Sequence, residues 1–313
     1  MGVVIVAVTP NPAWDVTYHL ERLAHHRANR PLSVAGRAGG KGINVARVLH
    51  SLGVAVTAVA PLGGATGERI RADLVAAGLA LTSVPVSGET RNTTTIVETA
   101  SGGATSLNEL GPARTTEDWA RLVGAVAELL PAASVLVLSG SLPPGVPVDG
   151  YAELVRAARA ARVPVLLDAS GPALVAGVAA GPDVVKPNAD ELRAATGESD
   201  PLRAVARLSA GTRADLAVVA SFGPDGVLAA TDVGWWRAVP PDAVRGNATG
   251  AGDAAVAALA RGMAEDSPWP ERLRDAVALS AAAVAAPAAG DVAGELYRSW
   301  RPRVRVDAVE PPG

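Results

Sequence analysis

The run SVLVLSGSLPPGVPVDGYAELVRAARAARVPVLLDA, residues 134–169, holds two Val/Leu-rich stretches separated by a Gly/Pro-rich turn and an alanine-rich segment. SVLVLSG (134–140) and VPVLLDA (163–169) are continuously apolar rather than alternating, as in strands buried on both faces. GYAELVRAARAA (150–161) supplies a helix between them, so the whole reads as strand, crossover helix, parallel strand. The same rhythm extends outward. Further strands are expected at VVIVAV (3–8), VAVTAVAPL (54–62), DVVK (183–186) and LAVVAS (216–221). Helices are expected at INVARVLHSL (43–52), GERIRADLVAAG (67–78), EDWARLVGAVAELL (117–130) and DPLRAVARLSA (200–210). The pattern predicts an α/β fold whose mostly parallel central sheet is covered by helices on both faces. Most strands end in Gly, Pro or Asn, which gathers candidate binding loops at the carboxyl edge of the sheet.

Two stretches break the rhythm. WDVTYHL (14–20) and TTTIVETASGGATSLNE (93–109) alternate polar and apolar residues, a period of two. They predict a small antiparallel sheet projecting as a lid, formed by excursions at about 12–38 and 86–108 from one domain spanning 1–313. The tail RPRVRVDAVEPPG (301–313) is expected to be loosely attached.

Composition excludes several classes of function. The net charge of −3 argues against a nucleic-acid partner. The absence of cysteine removes disulfides, thiol nucleophiles and cysteine-based metal sites, and the four His (19, 25, 26, 50) lack metal-ligand spacing. MGVVIVAVTPNP reads as a first strand rather than a signal peptide. AVALSAAAVAAPAAG (276–290) is too short and too alanine-rich for a membrane span and suits a buried helix. A cytoplasmic location is expected by default.

GNATGAGDAAVAALARGM (246–263) carries the most chemistry. Gly250, Ala251 and Gly252 precede a helix from about Asp253, and small residues at a helix start let free amides approach an anion. A carboxylate at that point is out of place for static phosphate binding, but it suits a base that takes a proton from an attacking hydroxyl. An aspartate N-cap after a glycine turn explains the same residues more plainly. Gly250, Gly252 and Ala255 also fit G-x-G-x-x-A, but no apolar strand precedes them, which disfavours a dinucleotide fold. A Walker loop is absent, since Gly42 follows Lys41 and Ala35 stands where glycine is required.

The chain's only lysines fall in GGKGIN (39–44) and KPNADEL (186–192), against 26 arginines. Gly39 and Gly40 permit close backbone approach, Lys41 offers a mobile point charge, and Asn44 lies one turn on to bond a polyol. Asn188 and Glu191 can present oxygens on one helical face to a hydrated Mg²⁺, or form a capping box. SFGPDGVLAA (221–230) reads as strand, turn, strand, with Gly223 and Gly226 in the turn. SGSLPPG (139–145) places hydroxyls just past a buried strand. Arg91 begins one lid segment and Arg27 follows the other; either can clamp a phosphate or be a solvated charge.

Together these segments resemble the PfkB (ribokinase-like) family of sugar kinases, from Thr9 to about residue 290. GGKGINVA resembles that family's N-terminal signature and ATGAGD its C-terminal one. TPNPAWD (9–15), TRN (90–92), LNELGP (107–112), SGSLPPG and VVKPNADEL resemble its phosphosugar branch, which contains 1-phosphofructokinase, tagatose-6-phosphate kinase and a 6-phosphofructokinase. The resemblance implies a ribokinase-like three-layer αβα sandwich and an ATP- and Mg²⁺-dependent kinase acting on a ketohexose phosphate, first of all fructose 1-phosphate at its 6-hydroxyl. It implies Asp253 as base and Gly250–Gly252 as anion hole. Asp15, Gly39, Gly40 and Asn44 would bind sugar hydroxyls, with Lys41, Arg91, Arg27 and Ser139 on the substrate's existing phosphate. Lys186, Asn188 and Glu191 would serve ATP phosphates and Mg²⁺, while Ser221, Gly223 and Gly226 would line the nucleotide site. The two lysines would then meet substrate and nucleotide phosphates from separate sides. A homodimer through the lid sheet is also implied. Departures from the pattern (Asn247-Ala248, Ala254, Thr95, Ser106, Leu110) spare the base and anion hole and bear on substrate choice. A catalytically silent sugar-binding regulator would be expected to have lost Asp253 or the Gly-Ala-Gly turn, and both are present.

Overall fold

The computed structural model describes residues 4–312 apart from Gly211 and Ala214; Val3 of the expected first strand and Gly313 of the tail lie outside the described residues. The chain runs β1 (Ile5–Val8), β2 (Ala13–Leu20), β3 (Ser33–Gly39), α1 (Lys41–Ser51), β4 (Val56–Leu62), α2 (Gly64–Ala76) and β5 (Ala80–Pro85). It continues through β6 (Arg91–Glu98), β7 (Ala104–Asn108), α3 (Thr116–Leu129), β8 (Val135–Ser139), α4 (Gly150–Ala160), β9 (Val165–Asp168), α5 (Gly171–Ala179) and β10 (Val184–Val185). Then come α6 (Ala189–Thr196), α7 (Pro201–Ser209), β11 (Ala217–Ser221), β12 (Val227–Thr231) and β13 (Gly234–Val239). The chain closes with α8 (Ala251–Ala264), α9 (Trp269–Val284), α10 (Gly294–Trp300) and β14 (Arg305–Val309).

Continuous apolar runs become strands buried on both faces. Ile5 and Ala7 of β1 and Val135 and Val137 of β8 pack with residues of α1, α8 and α9. Val6, Val8, Leu136 and Leu138 face the opposite layer, with Trp119 and Leu122 of α3 and Leu154 of α4. Each fully buried Val or Leu contributes roughly 1.5–3 kcal/mol of transfer free energy, so both faces drive the same sheet. Helix ends follow local chemistry: Thr115 and Asp118 form a capping box at α3, and Asp200 caps α7 ahead of Pro201.

The main sheet has the order β14-β13-β12-β11-β10-β9-β8-β1-β4-β5. From β11 to β5 every neighbouring pair is parallel. The chain moves outward from β1 to β4 and β5, then returns to β8 on the other side of β1. The β1/β8 boundary is therefore a topological switch point, where α/β sheets place their crevice.

Two expectations are corrected here. The tail is not loosely attached: β14 pairs antiparallel with β13 over five register positions, from Trp235↔Val309 to Val239↔Arg305. Its unpaired backbone groups are satisfied by the sheet edge, which outweighs its polar composition. The small sheet, of order β3-β2-β6-β7, is mixed rather than antiparallel, because β2 and β6 are parallel. Both leave the body at the same place (Ala13↔Arg91) and so run outward together.

Candidate active site

The crevice forms where the carboxyl ends of β1, β8, β9, β10 and β11 meet the starts of α1 and α8, under the small sheet. Its volume is about 1900 Å³, room for two substrates by the usual scale of ~300–1,000 Å³ for a ligand pocket. The period-two pattern of the small sheet sorts its faces. Asp15, Thr17, His19, Arg37, Thr93, Thr95, Ser106 and Asn108 line the crevice, while Tyr18, Val34, Ile96 and Leu107 share the opposite face by register.

Glycines let the backbone close in around the site. Gly40 has φ +110°, and a Cβ there would lie 2.6 Å from Thr9 Cγ2, so the start of α1 presses on the end of β1. A Cβ on Gly39 would overlap the Asp15 carboxylate at 1.8 Å; its absence makes room for that side chain. At α8, Gly250 is left-handed (φ +88°) and no side chain caps the helix. Ala251's amide closes a turn on the Ala248 carbonyl at 3.1 Å. The following amides point along the axis with the positive end of the helix dipole.

Asp253 lies in the first turn of α8, buried, and its Oδ2 accepts from Asn44 Nδ2 at 2.8 Å. Burial, then the negative charge of Asp168, pushes its pKa up to about 6. Asp168, at the end of β9, is fully enclosed. Lys186 Nζ lies 3.1 Å and Lys41 Nζ 3.3 Å from its two oxygens, and Ser139 Oγ donates to it at 3.0 Å. Burial opposes ionisation of Asp168, but Lys186 and Lys41 together hold its carboxyl below the usual range. Burial likewise opposes the Lys41 charge, and Asp168, Glu191 and Asp253 outweigh it, holding the ammonium well above its usual range. Lys186 Nζ is 3.6 Å from where a Cβ on Gly252 would sit, at the mouth of α8. Two ammoniums thus flank an uncapped helix start beside a carboxyl with raised pKa, an arrangement that can align and stabilise a transferring phosphoryl.

The comparisons with known proteins agree. The model of the pfkB family carbohydrate kinases matches residues 4–293. The chain belongs to that family. A 1-phosphofructokinase of Xanthomonas campestris pv. campestris is 39% identical over 276 residues, covering 85% of this kinase and 86% of the relative. Phosphofructokinase-2 from Escherichia coli, solved in complex with fructose-6-phosphate, superposes with a TM-score of 0.86 at 30% identity, covering 96% of this kinase and 99% of that chain. A possible 1-phosphofructokinase from Thermotoga maritima gives a TM-score of 0.89 at 26% identity, covering 98% and 100%.

Most residues singled out from the kinase's sequence line this one crevice: Asp15, Gly40, Lys41, Asn44, Arg91, Lys186, Asn188, Glu191, Ser221, Gly223, Gly226 and the turn from Gly250 to Asp253. Three do not. Gly39 acts by leaving space for Asp15. Ser139 is wholly buried behind Asp168, because it is the last residue of β8 and points into the sheet layer. Arg27 sits exposed in the β2–β3 connection, away from the lining. The two lysines are not on separate sides: they share Asp168. Asn188 and Glu191 form a capping box, Asn188 Oδ1 accepting from the Glu191 amide at 2.8 Å and Glu191 Oε2 from the Asn188 amide at 2.9 Å. Glu191 Oε1 remains, 3.7 Å from Lys41. Gly223 is open to the crevice, whereas Gly226 is required by packing, since a Cβ there would lie 2.0 Å from the Ala238 carbonyl oxygen.

Asp168 was missed, although an acid ending the apolar strand VPVLLDA at the carboxyl edge is a readable signal. So were Thr9 and Asn11, which precede the first lid strand. Thr9 Oγ1 and Asn44 Oδ1 are buried at the crevice with no hydrogen-bond partner among the described residues, as expected where a polar ligand completes the network.

Proposed function

We propose that the kinase transfers the γ-phosphoryl group of ATP to the 6-hydroxyl of fructose 1-phosphate, giving fructose 1,6-bisphosphate and ADP. The observation that carries this reading is the buried Asp253 against the uncapped start of α8, with both lysines alongside. Asp253 takes the hydroxyl proton, and the amides around Gly250, Ala251 and Gly252 receive the transferring group. Lys41 and Lys186, sharing one carboxylate, serve that same group rather than the sugar's own phosphate. Asp15, Asn44 and the Gly39–Gly40 turn hold sugar hydroxyls.

For the existing phosphate, Arg91 is favoured. Of the cationic side chains lining the crevice, Arg37 pairs with Asp291, Arg47 with Asp73, and both lysines with Asp168. Among the described residues Arg91 hydrogen-bonds only the carbonyls of Asn11 and Glu109 and forms no ion pair, with the Asp15 and Glu109 carboxylates nearby, so its charge is left for an anion. Membership of a carbohydrate-kinase family implies ATP as donor. Glu191 Oε1, outside the capping box, and the Asn188 side chain fit a magnesium ion reached through water. Such an ion, bound with the nucleotide, would neutralise charge on its β- and γ-phosphates. Ser221, Gly223 and Gly226 would border the nucleotide. A cytoplasmic location belongs to the same reading; among the described residues no helix is long and apolar enough to cross a membrane.

An ADP-release assay with fructose 1-phosphate, tagatose 6-phosphate, fructose 6-phosphate and free fructose tests the assignment. The expected order has fructose 1-phosphate first and free fructose at least about 100-fold lower in kcat/KM, the scale of a lost charged contact of ~3 kcal/mol. Equal rates on free fructose would remove the phosphosugar reading, and a preference for either other phosphate would replace the substrate. The apolar outer face of the small sheet, with Val34 56% and Leu107 59% exposed, supports a homodimer through that sheet. Sedimentation should give a dimer for the native chain and a monomer for Leu107→Asp; an unchanged mass would exclude this surface.

A further inference from the structure

The small sheet joins the body through four crossings: into β2 after Pro12, out of β3 at Gly39, into β6 at Arg91 and out of β7 through residues 109–112. Asn11 stands at the first, 5% exposed. Its Nδ2 donates to the Leu110 carbonyl at 3.1 Å and to Ser141 Oγ at 3.2 Å, tying the fourth crossing and the loop after β8. Its own carbonyl accepts from Arg91 Nε at 3.3 Å and Nη2 at 3.0 Å, and Arg91 Nη1 donates to the Glu109 carbonyl at 2.7 Å. Gly111, with φ +87°, leaves the space: a Cβ there would come 2.6 Å from Asn11 Oδ1. One buried residue therefore links three of the crossings to the body: its side-chain amide ties the fourth crossing and the loop after β8, and its backbone carbonyl holds Arg91 at the third.

Arginine has five N–H donors. Three are committed here to carbonyls, which among the described residues leaves two uncommitted at the crevice, the number a bidentate phosphate contact uses. The direction of those two depends on where the Asn11 and Glu109 carbonyls sit, and the Asn11 side chain holds both segments. We propose that Asn11 is a positioning residue for phosphate recognition: it fixes the Arg91 guanidinium so that its free edge meets the phosphate already on the sugar. The inference rests on the phosphosugar reading above.

Steady-state kinetics with fructose 1-phosphate and with fructose, for wild type and Asn11→Ala, test it. The expected result is at least an about tenfold fall in preference for the phosphorylated sugar, carried by its KM. KM for ATP should stay within about twofold, because the amide lies on the sugar side of the crevice. Ser141→Ala, which removes one anchor of the amide, should shift the preference the same way by less, and it serves if Asn11→Ala does not fold. An unchanged preference in whichever variant folds, or a KM for ATP that rises in step with that for sugar, overturns the proposal. A wild-type enzyme with no preference for the phosphorylated sugar would instead overturn the phosphosugar reading.

Discussion

Asparagine in place of Asp253 is expected to lower kcat by about 10²–10⁴-fold, the usual contribution of a general base. The change keeps the shape of the side chain and an oxygen for Asn44 Nδ2, now 2.8 Å away, so the fold and the start of α8 should persist. KM for ATP should remain within about twofold, since the amides proposed to meet the phosphoryl group come from the backbone. In a loose phosphoryl transfer the base acts late, and alignment by amides and ammoniums supplies most of the catalysis. A residual rate is therefore expected rather than none. A variant whose kcat stays within tenfold of wild type would remove Asp253 from the role of base.

Asp168→Asn should be nearly as damaging, by another route. It strips the shared carboxylate from Lys41 and Lys186 and leaves Lys186, whose side chain is 4% exposed, as an unpaired buried cation. Removing one partner of a buried ion pair typically costs about 3–5 kcal/mol, so a fall of several degrees in Tm is expected together with a large loss of kcat. The pH profile separates the electrostatic role from mere destabilisation. As the proposed base Asp253 would have to be ionised, so with its pKa near 6 the wild-type kcat/KM should fall on the acid side of about pH 6. The Asp168 charge helps hold that pKa up, and removing it should move the limb to lower pH. A phosphomonoester's second ionisation also lies near pH ~6, but that limb belongs to the substrate and would not move. A limb that stays in place in Asp168→Asn would mean that Asp168 does not act on Asp253.

Much of the molecule was legible in advance. The strands of 134–140 and 163–169 and the helix between them appear where continuous apolarity and helical spacing put them, because burial on two faces leaves no freedom of period. The glycines at 39, 40, 250 and 252 marked the two helix starts that meet in the crevice; at 39, 40 and 250 a Cβ would run into Asp15, Thr9 or Ala289. What was not legible depended on partners distant in the chain. RVDAV (305–309) looks like solvated coil until the edge of GWWRAV (234–239) is available to pair with it. DVVK forms the expected strand, shortened to Val184 and Val185, but nothing within it shows that it sets Lys186 beside Asp168.

By itself the sequence determined the α/β class, the two glycine-rich helix starts and the carboxylate at the second of them. Each of these is local: hydrophobic period, backbone conformation and capping chemistry act within a few residues. Only the tertiary structure decided that both lysines close on Asp168, that Ser139 stands behind it rather than in the crevice, and that, among the described residues, Arg91 keeps two donors free. Those are relations between neighbouring carboxyl ends of parallel strands. The order β1-β8-β9-β10 that makes them neighbours is set by how crossover helices pack the sheet, which no single segment encodes.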